Sequence, residues 1–164
     1  MLGNNTLLKG VLIMGFLRRF FGGLKHWGDR LQDFLLLAIR LFWGYNFFIT
    51  GNGKLANIEP VSSFFASLGF PFPTFNAYLA GSVECFGGLL LLVGLASRFS
   101  ALLLSGVMIV AYFTAHAESV RQIFHDPDLF LSQPPFLFLF ASLLIFCFGP
   151  GRFSLDALFK RWAK

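Results

Sequence analysis

Residues 75–96 read FNAYLAGSVECFGGLLLLVGLA, and Glu84 is the only charged residue among them. At about 1.5 Å of rise per residue, a helix of this length crosses a hydrocarbon layer of roughly 30 Å. A carboxylate near the middle of such a helix costs a few kcal/mol, about 2.5–3.5 on insertion scales. Side chains of this kind usually face a partner or a watery cavity. The stretch therefore predicts a membrane-spanning helix whose Glu84 points toward a neighbouring helix.

The composition of the whole chain supports a membrane protein. Hydrophobic residues make up 56% of the 164 residues and charged residues only 13%, whereas a soluble domain carries about a quarter charged residues. The net charge is +5, but the cations lie beside apolar runs, where they fix topology or meet anionic lipid headgroups. The composition predicts one domain in contact with a lipid bilayer and argues against a nucleic-acid-binding protein.

Three more apolar runs are long enough to be interpreted as spans. Pro134 and Pro135 are expected in the first turns of the last run, where a missing N–H does least harm. Gly149 and Pro150 are expected to end it. The sequence thus predicts an all-α, four-helix transmembrane bundle within residues 34–150, and the three further spans are residues 34–50, 99–117 and 129–148.

The distribution of lysine and arginine predicts the orientation. Of the 13 such residues, ten fall on one side of the predicted spans, and only Lys54 and Arg121 fall on the other, with Arg40 inside a span. Because cytoplasmic segments are enriched in these residues, both termini are expected in the cytoplasm. The loops at residues 51–74 and 118–128 are then expected outside.

The two terminal segments are predicted to lie on the inner membrane surface. Residues 1–33 form a basic amphipathic segment, and either Met1 or Met14 is compatible with the start of translation. Residues 151–164 predict a cytoplasmic interfacial helix with Ser154 as its N-cap. Its apolar stripe consists of Leu155, Leu158, Phe159 and Trp162.

Small residues recur along one face of the second span. Membrane helices with such faces approach each other closely, so this face is expected to be buried, whereas Leu91 is expected to face lipid. Cys85 and Cys147 lie in different spans and form no CxxC pair, so both are interpreted as small buried apolar side chains. The small face consists of Ala77, Gly81, Cys85 and Gly88.

The predicted depths bring several polar residues together in the outer half of the bundle. Helical side chains lean toward their own N-terminus, so Glu84 leans outward, toward the expected levels of Lys54 and His116. Arg40 starts from the cytoplasmic side and leans away, as a snorkelling or bridging cation below the cluster; its pairing with Glu84 is the less favoured alternative. The candidate binding site therefore comprises Asn46, Lys54, Glu84 and His116, with Arg40 beneath them.

The sequence contains none of the common catalytic or metal-binding motifs. HExxH, GxSxG, GxGxxG and a phosphate loop are all absent from the chain. One histidine and one glutamate make no metal site. No catalytic residue and no metal ligand are therefore predicted, and whether the protein is an enzyme stays open.

Five short motifs follow one another along the chain: RLFWG (40–44), GNGKL (51–55), FASLGFP (65–71), ECFGGLLLLVG (84–94) and GPGRFSLD (149–156). This ordered set resembles the DoxX family of small four-span membrane proteins. His116 ends the third span as the family's histidine does. The resemblance implies a four-helix bundle in the cytoplasmic membrane of a bacterium or archaeon, and some family members are subunits of thiosulfate:quinone oxidoreductase.

The resemblance implies an accessory subunit of a membrane redox assembly, with quinone as the expected cofactor and redox subunits as expected partners. In this hypothesis Glu84 and His116 hydrogen-bond a quinone oxygen or pass its protons, and Lys54 attracts an anionic substrate such as thiosulfate. Two alternatives stay open: a structural or assembly protein without chemistry, and a small proton-linked transporter in which Glu84 carries the proton. A homo-oligomer also stays open.

Overall fold

The computed structural model describes the backbone of residues 3–162 and the side chains of residues 17–162. Within these residues every regular element is an α-helix, which confirms the all-α prediction. The helices are α1 (Gly3–Ala56), α2 (Ile58–Ser67), α3 (Pro73–Val93), α4 (Ser97–Thr114), α5 (Ala117–Arg121), α6 (Pro127–Leu131), α7 (Pro134–Phe148) and α8 (Leu155–Trp162).

Three of the described helices are long and apolar enough to cross a membrane. They are the Leu17–Ala56 part of α1, α3 and α4. Helix α7 has 15 residues, or roughly 22 Å at about 1.5 Å per residue, which is short for a hydrocarbon layer of about 30 Å. A fourth crossing therefore remains a prediction.

The start of the fourth predicted span was placed too early. The span was expected from residue 129, but Pro134 and Pro135 occupy the first positions of α7, because a proline there gives up no intrahelical hydrogen bond. The residues before them form the separate helix α6, whose N-cap Asp126 accepts a hydrogen bond from the Leu129 N–H. At the other end, Gly149 caps α7 with a φ of 81°, as predicted.

The long helices pack around α3. Helix α3 contacts α1, α2 and α4, while α7 packs against α4 and α1. The Ser105 hydroxyl on α4 and the Ser142 hydroxyl on α7 are 2.8 Å apart and hydrogen-bonded within the interior. The apolar core comprises Phe47, Leu91, Ala101, Leu104, Met108 and Ile145.

Helices α1 and α3 come close enough for their backbones to touch. A Cβ added at Gly88 would lie 2.7 Å from the Gly44 carbonyl oxygen and 2.5 Å from the Phe48 nitrogen. Gly51 similarly faces the backbone of Cys85. The predicted small face of Ala77, Gly81, Cys85 and Gly88 is buried, so this prediction is confirmed.

Two predictions about side-chain exposure were wrong. Leu91 was expected to face lipid but is fully buried, because it lies seven residues after Glu84 and so repeats its helical face. Cys147 was expected to be buried but is exposed, whereas Cys85 is buried as expected, and both are free thiols.

The helices extend beyond the predicted spans. Helix α1 runs without interruption from Gly3 to Ala56, so residue 34 is no helix boundary. No proline occurs before Pro60 to stop the helix. The expected outer loop at residues 51–74 contains the end of α1 and all of α2, and the loop at 118–128 contains most of α5. Met1 and Lys164 lie outside the described residues, and the membrane location of the terminal segments stays a prediction.

Helix α8 docks on the turn between α3 and α4. The Ala157 N–H donates to the Ser154 hydroxyl at 3.2 Å, which confirms the predicted N-cap. The Asp156 carboxylate accepts hydrogen bonds from the Ala96 and Ser97 N–H groups at 2.8 and 2.9 Å, and so caps the start of α4. The apolar stripe of α8 is exposed.

Candidate functional site

Lys54 and Glu84 form an ion pair between α1 and α3. The Nζ of Lys54 donates a hydrogen bond to the Oε2 of Glu84. The Glu84 side chain is 2% exposed and the Lys54 side chain 31%. The predicted convergence of these two residues is confirmed, and the Glu84 carboxylate has a charged partner.

The antiparallel arrangement of α1 and α3 explains why the two side chains meet. Gly44 lies against Gly88, while Gly51, further along α1, lies against Cys85, earlier in α3. Since helical side chains lean toward their own N-terminus, Lys54 near the end of α1 and Glu84 in the middle of α3 lean toward each other. The glycine contacts bring the two backbones close enough for the pair to form.

The ion pair lies at the edge of a cavity of about 560 Å³. One wall is provided by α3, the opposite wall by α4, and α2 covers one end. Lys54, Glu84 and His116 all line it, and most of the remaining lining side chains are apolar. The other lining residues are Phe64, Phe65, Leu68, Phe70, Asn76, Leu79, Ala80, Val83, Leu103, Gly106, Val107, Val110, Ala111, Thr114 and Ala115.

His116 reaches the cavity from the turn that follows α4. It occupies the N-cap position of α5, and its carbonyl oxygen accepts a hydrogen bond from the Ser119 hydroxyl at 2.7 Å. Its ring lies 6.2 Å from the Tyr112 ring, centroid to centroid. Within the described part of the chain the imidazole forms no hydrogen bond to Glu84 or Lys54, so His116 shares the cavity with the pair without joining it.

Asn46 does not belong to the cluster in which it was predicted. Its side-chain amide donates to the Phe42 carbonyl one turn earlier on α1, at 2.8 Å, and it does not line the cavity. A short amide in a helix readily bonds to the carbonyl four residues before it. Asn46 is therefore a local helix contact.

Arg40 is also separate from the cluster. Its predicted roles as a snorkelling cation or a bridge to the polar site were wrong, because it is 1% exposed and contacts neither Lys54 nor Glu84. It precedes Lys54 by 14 positions, which corresponds to about 21 Å along a helix.

The Arg40 guanidinium instead binds backbone carbonyls at the C-terminal end of α3 and in the turn before α8. Its Nε donates to Leu91 at 2.9 Å and one terminal nitrogen donates to Leu92 at 3.1 Å. The other terminal nitrogen donates to Pro150 at 2.7 Å and to Phe153 at 2.9 Å. Carbonyls at a helix C-terminus lack intrahelical partners and carry partial negative charge. Arg40 therefore joins the end of α3 to the turn before α8.

Sequence reasoning missed the helix that covers the cavity and the cavity itself. Residues 61–70 (VSSFFASLGF) were assigned to a loop, although the apolar spacing of Phe64, Phe65 and Leu68 in this segment is compatible with one face of a helix. No comparable sequence pattern indicated that α4 lines the cavity. Among the described residues no group of three or more His, Cys, Asp or Glu side chains could hold a metal ion.

Comparison with known proteins decides the family. The model of the DoxX family matches residues 35–117, about half of the chain. The chain belongs to the DoxX family. The matched region contains Lys54, Glu84 and His116, so the whole polar part of the cavity lies within the family domain. No solved structure shows a significant match to the chain.

Three curated relatives cover most of the chain. A Bacillus subtilis (strain 168) protein named "Putative oxidoreductase CatD" is 29% identical over 120 residues, 73% of this chain and 83% of its own. An uncharacterized Haemophilus influenzae protein is 30% identical over 134 residues, 77% and 83% of the two chains. The inner membrane protein YqjF of Escherichia coli (strain K12) is 28% identical over 137 residues, 81% and 98% of the two chains.

Proposed function

We propose that this DoxX protein is an accessory membrane subunit of a redox assembly and binds a quinone in the cavity between α3 and α4. The observation that carries the proposal is the cavity itself, which has mainly apolar walls and, at its edge, an ion pair with a buried carboxylate. The printed name of the Bacillus subtilis relative, "Putative oxidoreductase CatD", supports a redox role.

The cavity has the size and the chemistry that a quinone ring requires. Its volume of about 560 Å³ falls within the roughly 300–1,000 Å³ of small-molecule sites, which are mostly apolar with a few polar groups that fix orientation. A quinone has apolar ring faces and two carbonyl oxygens that accept hydrogen bonds. When bound, it supplies the capacity to accept electrons and protons.

Lys54 and His116 are the donors that would hold a quinone oxygen. A lysine ammonium has three donors, and the hydrogen bond to Glu84 uses one of them. The His116 imidazole lines the same cavity and can donate one hydrogen bond when neutral. Glu84 orients the ammonium and keeps its charge compensated, while the side chains of Val83 and Val107 exclude water from the ring.

The pairing with Glu84 changes the role proposed for Lys54. A free ammonium could attract an anionic substrate such as thiosulfate, but the charge of Lys54 is balanced by the adjacent carboxylate. The proposal therefore assigns Lys54 to the quinone and leaves thiosulfate or other sulfur substrates to partner subunits.

The proposal places the protein in the inner membrane of a prokaryote, with four crossings and both termini in the cytoplasm. The description of YqjF as an inner membrane protein supports the location, and the distribution of lysine and arginine supports the orientation. The cavity then lies in the outer half of the bundle, away from the cytoplasm.

Quinone binding to the purified protein tests the proposal. The protein is reconstituted in lipid nanodiscs with a long-chain quinone, and the quinone retained per protein is measured after extraction. We expect Lys54→Met and the cavity-filling variant Ala111→Phe to lower retention about tenfold or more, since loss of a polar contact or of ring space is worth that much. The control Asn46→Ala, outside the cavity, should retain quinone as the wild type does.

A structural role for the ion pair is the second candidate, because the pair lies beside the glycine contacts that hold α1 against α3. In that case Lys54→Met would lower only the stability of the fold, and neither Lys54→Met nor Ala111→Phe would change the quinone retained per folded protein. Absence of stoichiometric quinone from the wild type would contradict the quinone assignment and favour this candidate.

A further inference from the structure

The cavity is open on the side that faces away from the rest of the bundle. Helix α7 contributes no lining residue, and α1 contributes only Lys54. The walls are α3 and α4, which pack against α1 and α7 through their other faces. The open side therefore lies between α3 and α4 and faces lipid, since both helices are long and apolar enough to cross the membrane.

A gap in the side chains lies at this opening. Leu79 of α3 is 50% exposed, and Leu103 and Val110 of α4 are 42% and 47% exposed. Gly106 lies between Leu103 and Val110 on the part of α4 that lines the cavity. It has no side chain, and an added Cβ there would meet no atom within 4 Å. Gly106 thus leaves an open passage beside the exposed side chains.

The passage lies at the depth of the hydrocarbon. Gly106 is eight positions before Thr114, the last residue of α4, or about 12 Å along the helix. Glu84 is 11 positions after Pro73, the first residue of α3, or about 16 Å. Both residues are far from the helix ends, so the passage opens into lipid tails. Phe64 and Phe65 of α2 and Leu68, the residue that follows α2, line the cavity beside these walls.

We propose that Gly106 forms a lateral portal through which the apolar tail of the bound molecule leaves the cavity between α3 and α4. The site then selects a tail-bearing, membrane-dissolved ligand, an isoprenoid quinone, over the same ring without a tail. A long polyprenyl chain outgrows a cavity of about 560 Å³ and leaves it through the passage beside Gly106. This inference rests on the proposed quinone site and adds its specificity and its route of entry.

Substitutions at Gly106 test the portal without disturbing the fold, because the site has room for a side chain. Gly106→Phe closes the passage, and the matched control is Gly28→Phe, a helical glycine outside the cavity that is equally free of neighbours. Each variant is reconstituted in nanodiscs, and the dissociation constants of a decaprenyl quinone and of its tail-less benzoquinone ring are measured. Retained phospholipid is identified by native mass spectrometry.

We expect the wild type to bind the decaprenyl quinone more tightly than the tail-less ring. Gly106→Phe should weaken binding of the tailed quinone about tenfold or more, as expected for exclusion of a few methylene groups. The same variant should leave binding of the ring within about twofold, a change too small to reflect a lost contact. Gly28→Phe should change neither constant.

Three results separate failure of the portal from failure of the quinone site. Equal affinity of the wild type for both probes, or equal effects of Gly106→Phe on both, would overturn the portal and leave the quinone site intact. A phospholipid retained by the wild type and lost in Gly106→Phe, without quinone binding, would support the portal and contradict the quinone. If the wild type retained neither molecule, both proposals would be wrong.

Discussion

The ammonium of Lys54 in the last turn of α1 donates a hydrogen bond to the Glu84 carboxylate in the middle of α3. The two partners differ in access to solvent, since the Glu84 side chain is 2% exposed and the Lys54 side chain 31%. If the pair is broken, the ammonium can turn to water or headgroups, whereas the carboxylate stays buried.

This asymmetry predicts unequal effects of the two single substitutions. Lys54→Met leaves a buried carboxylate without its partner and should lower the stability of the fold by about 1–3 kcal/mol. Glu84→Gln keeps a hydrogen-bond acceptor for the ammonium and should cost less. Thermal unfolding in detergent, followed by size-exclusion chromatography, measures both changes.

The double variant Lys54→Met/Glu84→Gln separates direct pairing from independent roles. Residues in contact show interaction energies of about 0.5–3 kcal/mol in double-mutant cycles, so the double variant should lose less than the sum of the two single losses. Strict additivity would contradict an energetic coupling between them.

The glycine contacts between α1 and α3 predict a graded series of alanine substitutions. A Cβ at Gly88 would meet backbone atoms of Phe48 and Gly44 at 2.5 and 2.7 Å, whereas one at Gly81 would first meet the Leu55 side chain at 3.0 Å. Overpacking against backbone costs about 1–3 kcal/mol, so Gly88→Ala should lower the midpoint of thermal unfolding more than Gly81→Ala does. Equal tolerance would contradict the close approach.

Gly106→Ala serves as the control for this series. An added Cβ at Gly106 meets nothing within 4 Å, and alanine is favoured over glycine in a helix by about 0.8–1 kcal/mol. Its unfolding midpoint should equal or exceed that of the wild type, which would show that glycine replacement in a helix is harmful only where the helices touch.

Arg40→Lys should destabilise the protein despite conserving the charge. The Arg40 guanidinium bonds to four carbonyls, those of Leu91, Leu92, Pro150 and Phe153. A lysine ammonium is a point charge with three donors and lacks the planar fork. Each carbonyl left unsatisfied costs about 1–3 kcal/mol, so the yield of monodisperse protein should fall. Arg152→Lys, at an exposed guanidinium, is the matched control and should change little.

Asp156→Ala should loosen the junction of α8 with α4. The carboxylate accepts hydrogen bonds from the Ala96 and Ser97 N–H groups, and loss of an N-cap side chain costs about 0.5–2 kcal/mol. We expect a lower unfolding midpoint and faster proteolysis after Arg152. The control Asp128→Ala, at an exposed carboxylate, should show neither change. Equal resistance of α8 to the protease in both variants would argue against the cap.

Reporter fusions test the predicted topology. Fusions after Arg98 and at the C-terminus should both report a cytoplasmic location, because the four predicted spans put ten lysine and arginine residues on that side and two on the other. A fusion within α2 should report the opposite side. A periplasmic C-terminus would contradict the four-crossing arrangement and leave the three long helices as the only spans.

Local pattern was sufficient for the residues whose position depends on one helix. The small face of α3 and the caps at Gly149 and Ser154 follow from spacing and backbone preference, and the structure confirms them. The same periodicity, applied consistently, also places Leu91 on the buried face of Glu84, so its assignment to lipid was an error in reading the pattern.

Predictions that required the relative position of two helices had a mixed outcome. The direction in which helical side chains lean was sufficient to predict that Lys54 meets Glu84. The same rule was insufficient for Asn46, which donates to a carbonyl of its own helix. It was also insufficient for Arg40, which donates to carbonyls at the C-terminal end of α3. Neither set of acceptors can be recognised from residue spacing, because backbone carbonyls occur at every position.

The sequence by itself determined an all-helical chain with several apolar helices, a buried carboxylate in α3 and membership in a group of membrane proteins. The helices and the buried carboxylate follow from composition and periodicity, which act within one segment at a time, and the membership follows from the order of short motifs along the chain. Only the tertiary structure decided that α2, α3 and α4 line a common cavity and that Gly106 lies on its lining with room for a side chain. A cavity is the space that several packed helices leave unfilled, so its shape depends on their mutual distances and rotations.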